Sequence, residues 1–217
     1  QSEVQGTGLF NLRDRHLVGG TCLLGQSLAS FESLKNLEVT VRMRELDCQL
    51  LAKGLKEATH VSLDSIALNQ MEFDDDSVRD LATFLSRQTS LHSVTIQHAG
   101  KYKTADKTLE KIGHKVDERR DPPKSLGKNA LGALVESLKE ASDATLTYLH
   151  LSGLEMKGDA AAKLGSLFMV RSSKVETLIL EDVLQTASAV KKSLGEVERA
   201  RFMPVLKKFE IRSSEMT

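Results

Sequence analysis

Apolar residues along this chain recur in two alternating spacings. The shorter, L-x-x-L-x-L, occurs at Leu34/Leu37/Val39, Ala58/Val61/Leu63, Leu91/Val94/Ile96, Leu146/Leu149/Leu151, Val175/Leu178/Leu180 and Leu206/Phe209/Ile211, with a weaker first copy at Val4/Thr7/Leu9. Its second half alternates apolar and polar residues, the period of a short strand with one buried face. Between copies the period changes to that of an amphipathic helix. Six such stripes are Leu24/Leu28/Phe31, Met43/Leu46/Leu50, Val78/Leu81/Ala82/Leu85, Leu131/Leu134/Val135/Leu138, Ala160/Leu164/Leu167/Phe168 and Val190/Leu194/Val197. Asp74-Asp75-Asp76, Asn129 and Gly158-Asp159 lead three of them, as expected of helix N-termini that need capping acceptors and favour negative charge.

The middle positions Thr7, Leu37, Val61, Val94, Leu149, Leu178 and Phe209 step by 30, 24, 33, 55, 29 and 31 residues. The unit predicted is strand, turn, helix, turn, repeated six or seven times within one domain spanning 1–217. No such unit can bury its own apolar face, so the units are expected to stack around a continuous core with parallel strands. A doubly wound α/β sheet also alternates strand and helix. It is disfavoured because the strand patterns are short, share one template and are followed by no Gly-rich phosphate loop.

In period and in the L-x-x-L-x-L core, residues 4–213 resemble leucine-rich repeats of the ribonuclease-inhibitor-like kind, whose units are long and carry a true helix. That resemblance implies an α/β leucine-rich-repeat solenoid, or horseshoe, with short parallel strands on the concave face and helices on the convex face. The chain departs from the family at the ninth repeat position, usually Asn or Cys, where it reads Leu12, Arg42, Ile66, Ala99, Leu154 and Val183. The family Asn bonds backbone in the turn, so a divergent, irregular array is expected.

By the family template, residues between the buried positions face the concave side. They are Asn36, Glu38 and Thr40; His60, Ser62 and Asp64; Ser93, Thr95 and Gln97; Tyr148, His150 and Ser152; Thr177, Ile179 and Glu181; and Lys208, Glu210 and Arg212. This face is polar with an acidic lean. Glu38, His60, Asp64, Gln97, Tyr148, His150, Ile179 and Glu181 are its candidate partner-binding residues, with Tyr148 and Ile179 as anchors. The 55-residue step holds an excess of some 26 residues around 100–124, with eight Lys/Arg, five Asp/Glu and a net charge of +3. Three readings stand for this insertion: a solvated loop, a contact arm or a hidden degenerate repeat. As an arm it would offer Lys101, Lys103, Arg119 and Arg120.

Composition narrows the function. The chain of 217 residues has 33 Leu but only nine aromatics and no Trp, which favours many small similar units over one mixed core. Lys+Arg and Asp+Glu are both 30, so a general polyanion binder is disfavoured. Cys22 and Cys48 are too few for a disulfide framework and lie in apolar patterns, where buried free thiols are expected. No run approaches a membrane span and the first residues lack a signal-peptide pattern, so an intracellular, cytoplasmic site is expected, or an organelle if a leader is removed.

No phosphate-loop, dinucleotide, zinc-protease or nucleophile-elbow motif occurs. His60, Asp64 and His150 have no metal-ligand spacing, and Cys48 has no base partner. No catalytic, metal or cofactor site is expected. The leading expectation is a non-enzymatic scaffold that docks a protein partner, as a subunit of a larger assembly. The alternatives are a regulator of an enzyme such as a small GTPase, and a ribonucleoprotein subunit touching RNA through the basic insertion. The apolar stretch Phe202–Val205 is expected to be covered by the strand around Phe209–Ile211, by a neighbouring chain or by a further segment.

Overall fold

The computed structural model describes residues 9–12, 27, 33–99, 126–156, 158–167, 173–184, 186, 188–191, 193 and 205–213. Within them are seven strands: β1 (Leu9–Leu12), β2 (Asn36–Val39), β3 (Ser65–Met71), β4 (Ser93–His98), β5 (Tyr148–Ser152), β6 (Thr177–Glu181) and β7 (Lys208–Arg212). The helices are α1 (Glu45–Glu57), α2 (Asp75–Leu85), α3 (Lys128–Ala144) and α4 (Asp159–Ser166). The fold is α/β. All seven strands form one parallel sheet whose order is the chain order, β1 to β7. Parallel neighbours need a crossover, and α1 to α4 supply the four between β2 and β6.

A doubly wound sheet would reverse its strand order partway. This sheet never reverses, and α1, α2, α3 and α4 touch one another in sequence. The helices therefore stand in one row, against one face of the sheet. On that face Leu37, Val39, Ile66, Leu68, Val94, Ile96, Leu149, Leu151, Leu178 and Leu180 are buried in one cluster with the helix stripes. The stripes of α2 (Val78, Leu81, Ala82, Leu85) and α3 (Leu131, Leu134, Val135, Leu138) are buried as their periods predict, as are Ala160, Leu164 and Leu167 around α4. Phe168 and the stripe Leu24/Leu28/Phe31 lie outside the described residues, as do Leu194 and Val197.

Two strand registers and one helix face differ from the sequence expectation. Leu37 pairs with Ile66, which pairs with Val94. The third unit is therefore Leu63/Ile66/Leu68, not Ala58/Val61/Leu63. Leu63 satisfies the spacing in both frames, as its last position or its first, so spacing alone could not choose. Ala58 and Val61 are buried, but in the connection from α1 to β3. The buried Gln88 holds that connection by donating to the Val61 carbonyl at 3.2 Å and accepting from the Leu63 N–H at 2.9 Å. In β1, Phe10 and not Thr7 pairs with Leu37. Measured along this register, Phe10, Leu37, Ile66, Val94, Leu149, Leu178 and Phe209 step by 27, 29, 28, 55, 29 and 31 residues. The period is more even than the sequence alone suggests. In α1 the buried stripe is Cys48/Leu51/Ala52/Leu55, while Leu46 is 65% exposed and Met43 lies before the helix, bridged to Met71.

The corrected register also moves the ninth position. Ile66 is a strand centre and Leu12 lies opposite Val39, so neither occupies it. Its occupants are Met71, Ala99, Leu154 and Val183, all buried, and Met43 stands there after a one-residue slip that leaves Arg42 exposed. One position earlier, Gln70, Gly153 and Asp182 share a left-handed backbone, with φ of 60°, 69° and 52°. A side chain at Gly153 would also overlap the His98 carbonyl oxygen, so only glycine meets both demands there. Ahead of each of β2 to β6, one carbonyl takes two N–H groups from the next unit. Lys35 receives Asp64 and Ser65, Asp64 receives His92 and Ser93, His92 receives Thr147 and Tyr148, Thr147 receives Glu176 and Thr177, and Glu176 receives Lys207 and Lys208.

Side chains tie the helix row together. Asp74 caps α2 in a reciprocal box with Ser77, and Asp75 reaches the start of α3, accepting from the Gly127 N–H at 2.6 Å. Lys56–Asp80 (2.7 Å) and Glu136–Lys163 (3.0 Å) link α1 to α2 and α3 to α4. These exposed pairs contribute little each. At β7, Phe209 is 38% exposed and Ile211 half-buried, although their register partners Leu178 and Leu180 are fully buried. Phe202, Met203 and Pro204 lie outside the described residues. So do 100–125, on which the three readings of the insertion fall; β4 pairs directly with β5. The chain leaves after Ala99 and returns at Leu126, between a strand and its helix.

A shared core makes Leu149→Ala cost about 2–5 kcal/mol of unfolding free energy, read from urea titration. Asp75→Ala, which removes the acceptor at the start of α3, is expected to cost about 1 kcal/mol. A Leu149→Ala loss no larger than that of Asp75→Ala would contradict a core continuous through β5.

Candidate functional site

The sheet face opposite the helices is the broadest surface that the repeat places in register. Alternation puts every second strand residue there, and parallel in-register pairing lines these residues up across strands. One row runs Asn36, Ser65, Ser93, Tyr148, Thr177, Lys208. The next runs Glu38, Ala67, Thr95, His150, Ile179, Glu210, with Asn11 of β1 opposite Glu38. A third, shorter row is Gln97, Ser152, Glu181, Arg212. Most of these side chains are half-buried, the condition of residues flanked by strand neighbours but not covered by a helix.

Glu38, Gln97, Tyr148, His150, Ile179 and Glu181 thus lie on the face expected of them. His60 and Asp64 do not. The register shift in β3 leaves His60 exposed in the turn after α1 and Asp64 one residue before the strand, where its backbone serves the two-donor ladder. Ser65 and Ala67 take their places on the face. Ser62, placed there by the same template, instead pairs its hydroxyl with Ser90 at 2.8 Å. Lys101, Lys103, Arg119 and Arg120 lie outside the described residues.

Some polar groups on the face are paired locally, and one buried atom is not. The Ser65 hydroxyl donates to Asn36 Oδ1 at 2.6 Å across β2 and β3. On β7 the Glu210 carboxylate is held by Lys208 at 2.9 Å and by Arg212, and the hydrogen bond from Lys208, then that from Arg212, keeps its carboxyl below the usual range. That atom is His150 Nε2, the buried side-chain polar atom without a hydrogen bond among the described residues. It lies 3.5 Å from Glu181 Oε2, close enough to attract but not in bonding geometry. Leaving such an atom unsatisfied costs about 1–3 kcal/mol. Ile179, next to His150 in the row, is 7% exposed and is the apolar element of this patch.

Two reactive-looking side chains lie on the other side, in the core. The Cys48 thiol is free and buried; it donates to the Met43 carbonyl at 3.6 Å and touches Met71 Sδ at 4.0 Å. Burial pushes its pKa far up, so it stays protonated and is no nucleophile. Cys22 lies outside the described residues. His98, at the end of β4, stacks on Phe73 with ring centroids 6.3 Å apart, and its Nδ1 accepts the Phe73 N–H at 3.3 Å. It thereby bonds turn backbone of the preceding unit. At Asp74 burial raises the pKa, but hydrogen bonds from Ser77 and Gln49 outweigh it and hold the carboxyl below its ordinary value. No group of three or more His, Cys, Asp or Glu converges for a metal ion among the described residues, and no helix among them is long and apolar enough to cross a membrane.

Burial lowers the His98 pKa below 6.5, against smaller opposing effects of the Glu72 charge and the Met71 backbone. A histidine with a depressed folded pKa adds stability above its unfolded value and loses it as pH falls. Unfolding free energy is expected to decline below about pH 6.5, by at most about 1.4 kcal/mol per pH unit for this one proton. Urea titrations of His98→Asn against pH should lack that component; an unchanged slope would assign it elsewhere. Compared with protein-family models and with curated proteins, the sequence matches none.

Proposed function

We propose that the chain is a divergent leucine-rich-repeat solenoid of the ribonuclease-inhibitor-like kind, and that it serves as a non-enzymatic scaffold docking a protein partner on its open sheet face. The observation that carries this reading is the separation of the sheet's two faces. One face holds the whole apolar interior with the helices, and the other lines up polar side chains in rows that no described residue covers with a second layer. The even step of 27–31 residues between strand centres, the 55-residue step apart, supports the family assignment. So does the helix in each fully described unit. The departure at the ninth position is accommodated by filling it with apolar side chains and by giving backbone bonding to Gln88 and His98. Rows of hydroxyls, amides and carboxylates at strand spacing suit the side chains of a folded protein, which offers donors and acceptors at comparable intervals. Contact through the 100–124 insertion remains a second part of the proposal, because that segment departs at Ala99, directly after the last strand residue beside the third row.

The test places a bulky charge in the centre of the face. Thr95→Arg, between Ala67 and His150, is expected to reduce retention of the native partner at least tenfold in chemical crosslinking and co-purification. Ala133→Arg, on the exposed side of α3, should leave it unchanged. Full retention by Thr95→Arg would refute docking on this face. Deleting 101–123 in the same assay tells whether the insertion contributes.

A further inference from the structure

On the open face two side chains stand next to each other without completing a bond. His150 projects from β5 and Glu181 from β6, with Nε2 and Oε2 3.5 Å apart and no hydrogen bond at Nε2. Glu181 makes no other ion pair among the described residues. The cations of the neighbouring strand, Lys208 and Arg212, are both engaged by Glu210. A carboxylate only accepts, and a neutral imidazole accepts at one nitrogen. An Nε2–H would be drawn into a bond with the carboxylate beside it, whereas an Nε2 lone pair leaves two acceptors facing one gap. Two acceptors side by side are matched by a donor of positive charge.

We infer that the His150–Glu181 gap is the seat of an arginine side chain from the docked protein. This inference rests on the reading of the open face as a docking surface. Arginine fits better than lysine because its planar guanidinium carries several N–H donors in a fixed fork and can serve both acceptors at once. Ile179 beside His150, and Thr95 on its other side, give the methylene stem of the arginine an apolar and a small neighbour. Glu181 is 39% exposed, so its carboxylate is reached from solvent beside the buried Nε2. The seat thereby uses the one buried side-chain polar atom left without a bond among the described residues, and satisfies it only when a partner is present.

The experiment titrates the full chain, with isotope-labelled histidine, with N-acetyl-arginine amide and follows the His150 ring by NMR. The result expected is a saturable shift of the His150 resonances, at least tenfold weaker in affinity with N-acetyl-citrulline amide, which keeps the shape and loses the charge. N-acetyl-lysine amide should bind more weakly than the arginine probe. Glu181→Gln is expected to weaken arginine binding at least tenfold and Glu181→Asp to retain part of it, while Glu136→Gln on α3 has no effect; amide spectra report that each variant is folded. An equal response to citrulline, unaltered binding in Glu181→Gln, no saturable shift in the wild type, or an Nε2–H bonded to Glu181 in the free protein would overturn the inference. Partner retention separates the two proposals. If Thr95→Arg abolishes it and Glu181→Gln does not, docking on the face stands and the arginine seat falls; if both variants retain the partner, docking itself falls.

Discussion

Everything in this molecule depends on the sharing of one apolar interior between consecutive units. A strand of four to seven residues and a helix of eight to seventeen cannot hide their own apolar sides. They become stable only when the next unit repeats the same positions in register. Leu37, Ile66, Val94, Leu149 and Leu178 are neighbours across the sheet for that reason, and each is almost wholly removed from water. The hydrophobic contribution of each unit is therefore a property of pairs of units, as in other stacked architectures.

Directional interactions then set the details that burial leaves open. The carbonyl before each of β2 to β6 takes two N–H groups from its successor, which fixes how far one unit can slide along the next. A left-handed residue at Gln70, Gly153 and Asp182 turns the chain at the ends of β3, β5 and β6. Gln88 and His98 supply buried polar bonds to turn and loop backbone between units. The same structural need is met by different residues, because what the fold requires is a satisfied backbone group and not a particular side chain.

The division of the sheet into a dry face and an open face also decides where chemistry is available. Cys48 and His98 are reactive types, but both are sunk among apolar neighbours that disfavour their charged forms. Polar groups on the open face are instead arranged at strand spacing, some of them paired with one another. His150 departs from this pattern because its ring nitrogen is buried beside a carboxylate without bonding it.

Much of this was written in the order of residues. The alternation of spacings announced parallel strands joined by helices, and the stripes of α2 and α3 were legible residue by residue, because amphipathic periodicity is a local property. The open-face positions of Glu38, Gln97, Tyr148, His150, Ile179 and Glu181 followed from the same alternation. What the order of residues could not supply was register. Leu63 fits two frames of one spacing, and only pairing with β2 and β4 selects the frame that buries Ile66 and Leu68 and sends His60 and Asp64 off the face. The face of α1 went the same way: Leu46 and Leu50 keep helical spacing, but the side buried in the shared core is Cys48, Leu51, Ala52 and Leu55. Sequence determined which elements form, since each depends on neighbours along the chain. Tertiary structure decided how they align, since a shift of a few residues preserves every local spacing and is resolved only by hydrogen bonds and burial between units.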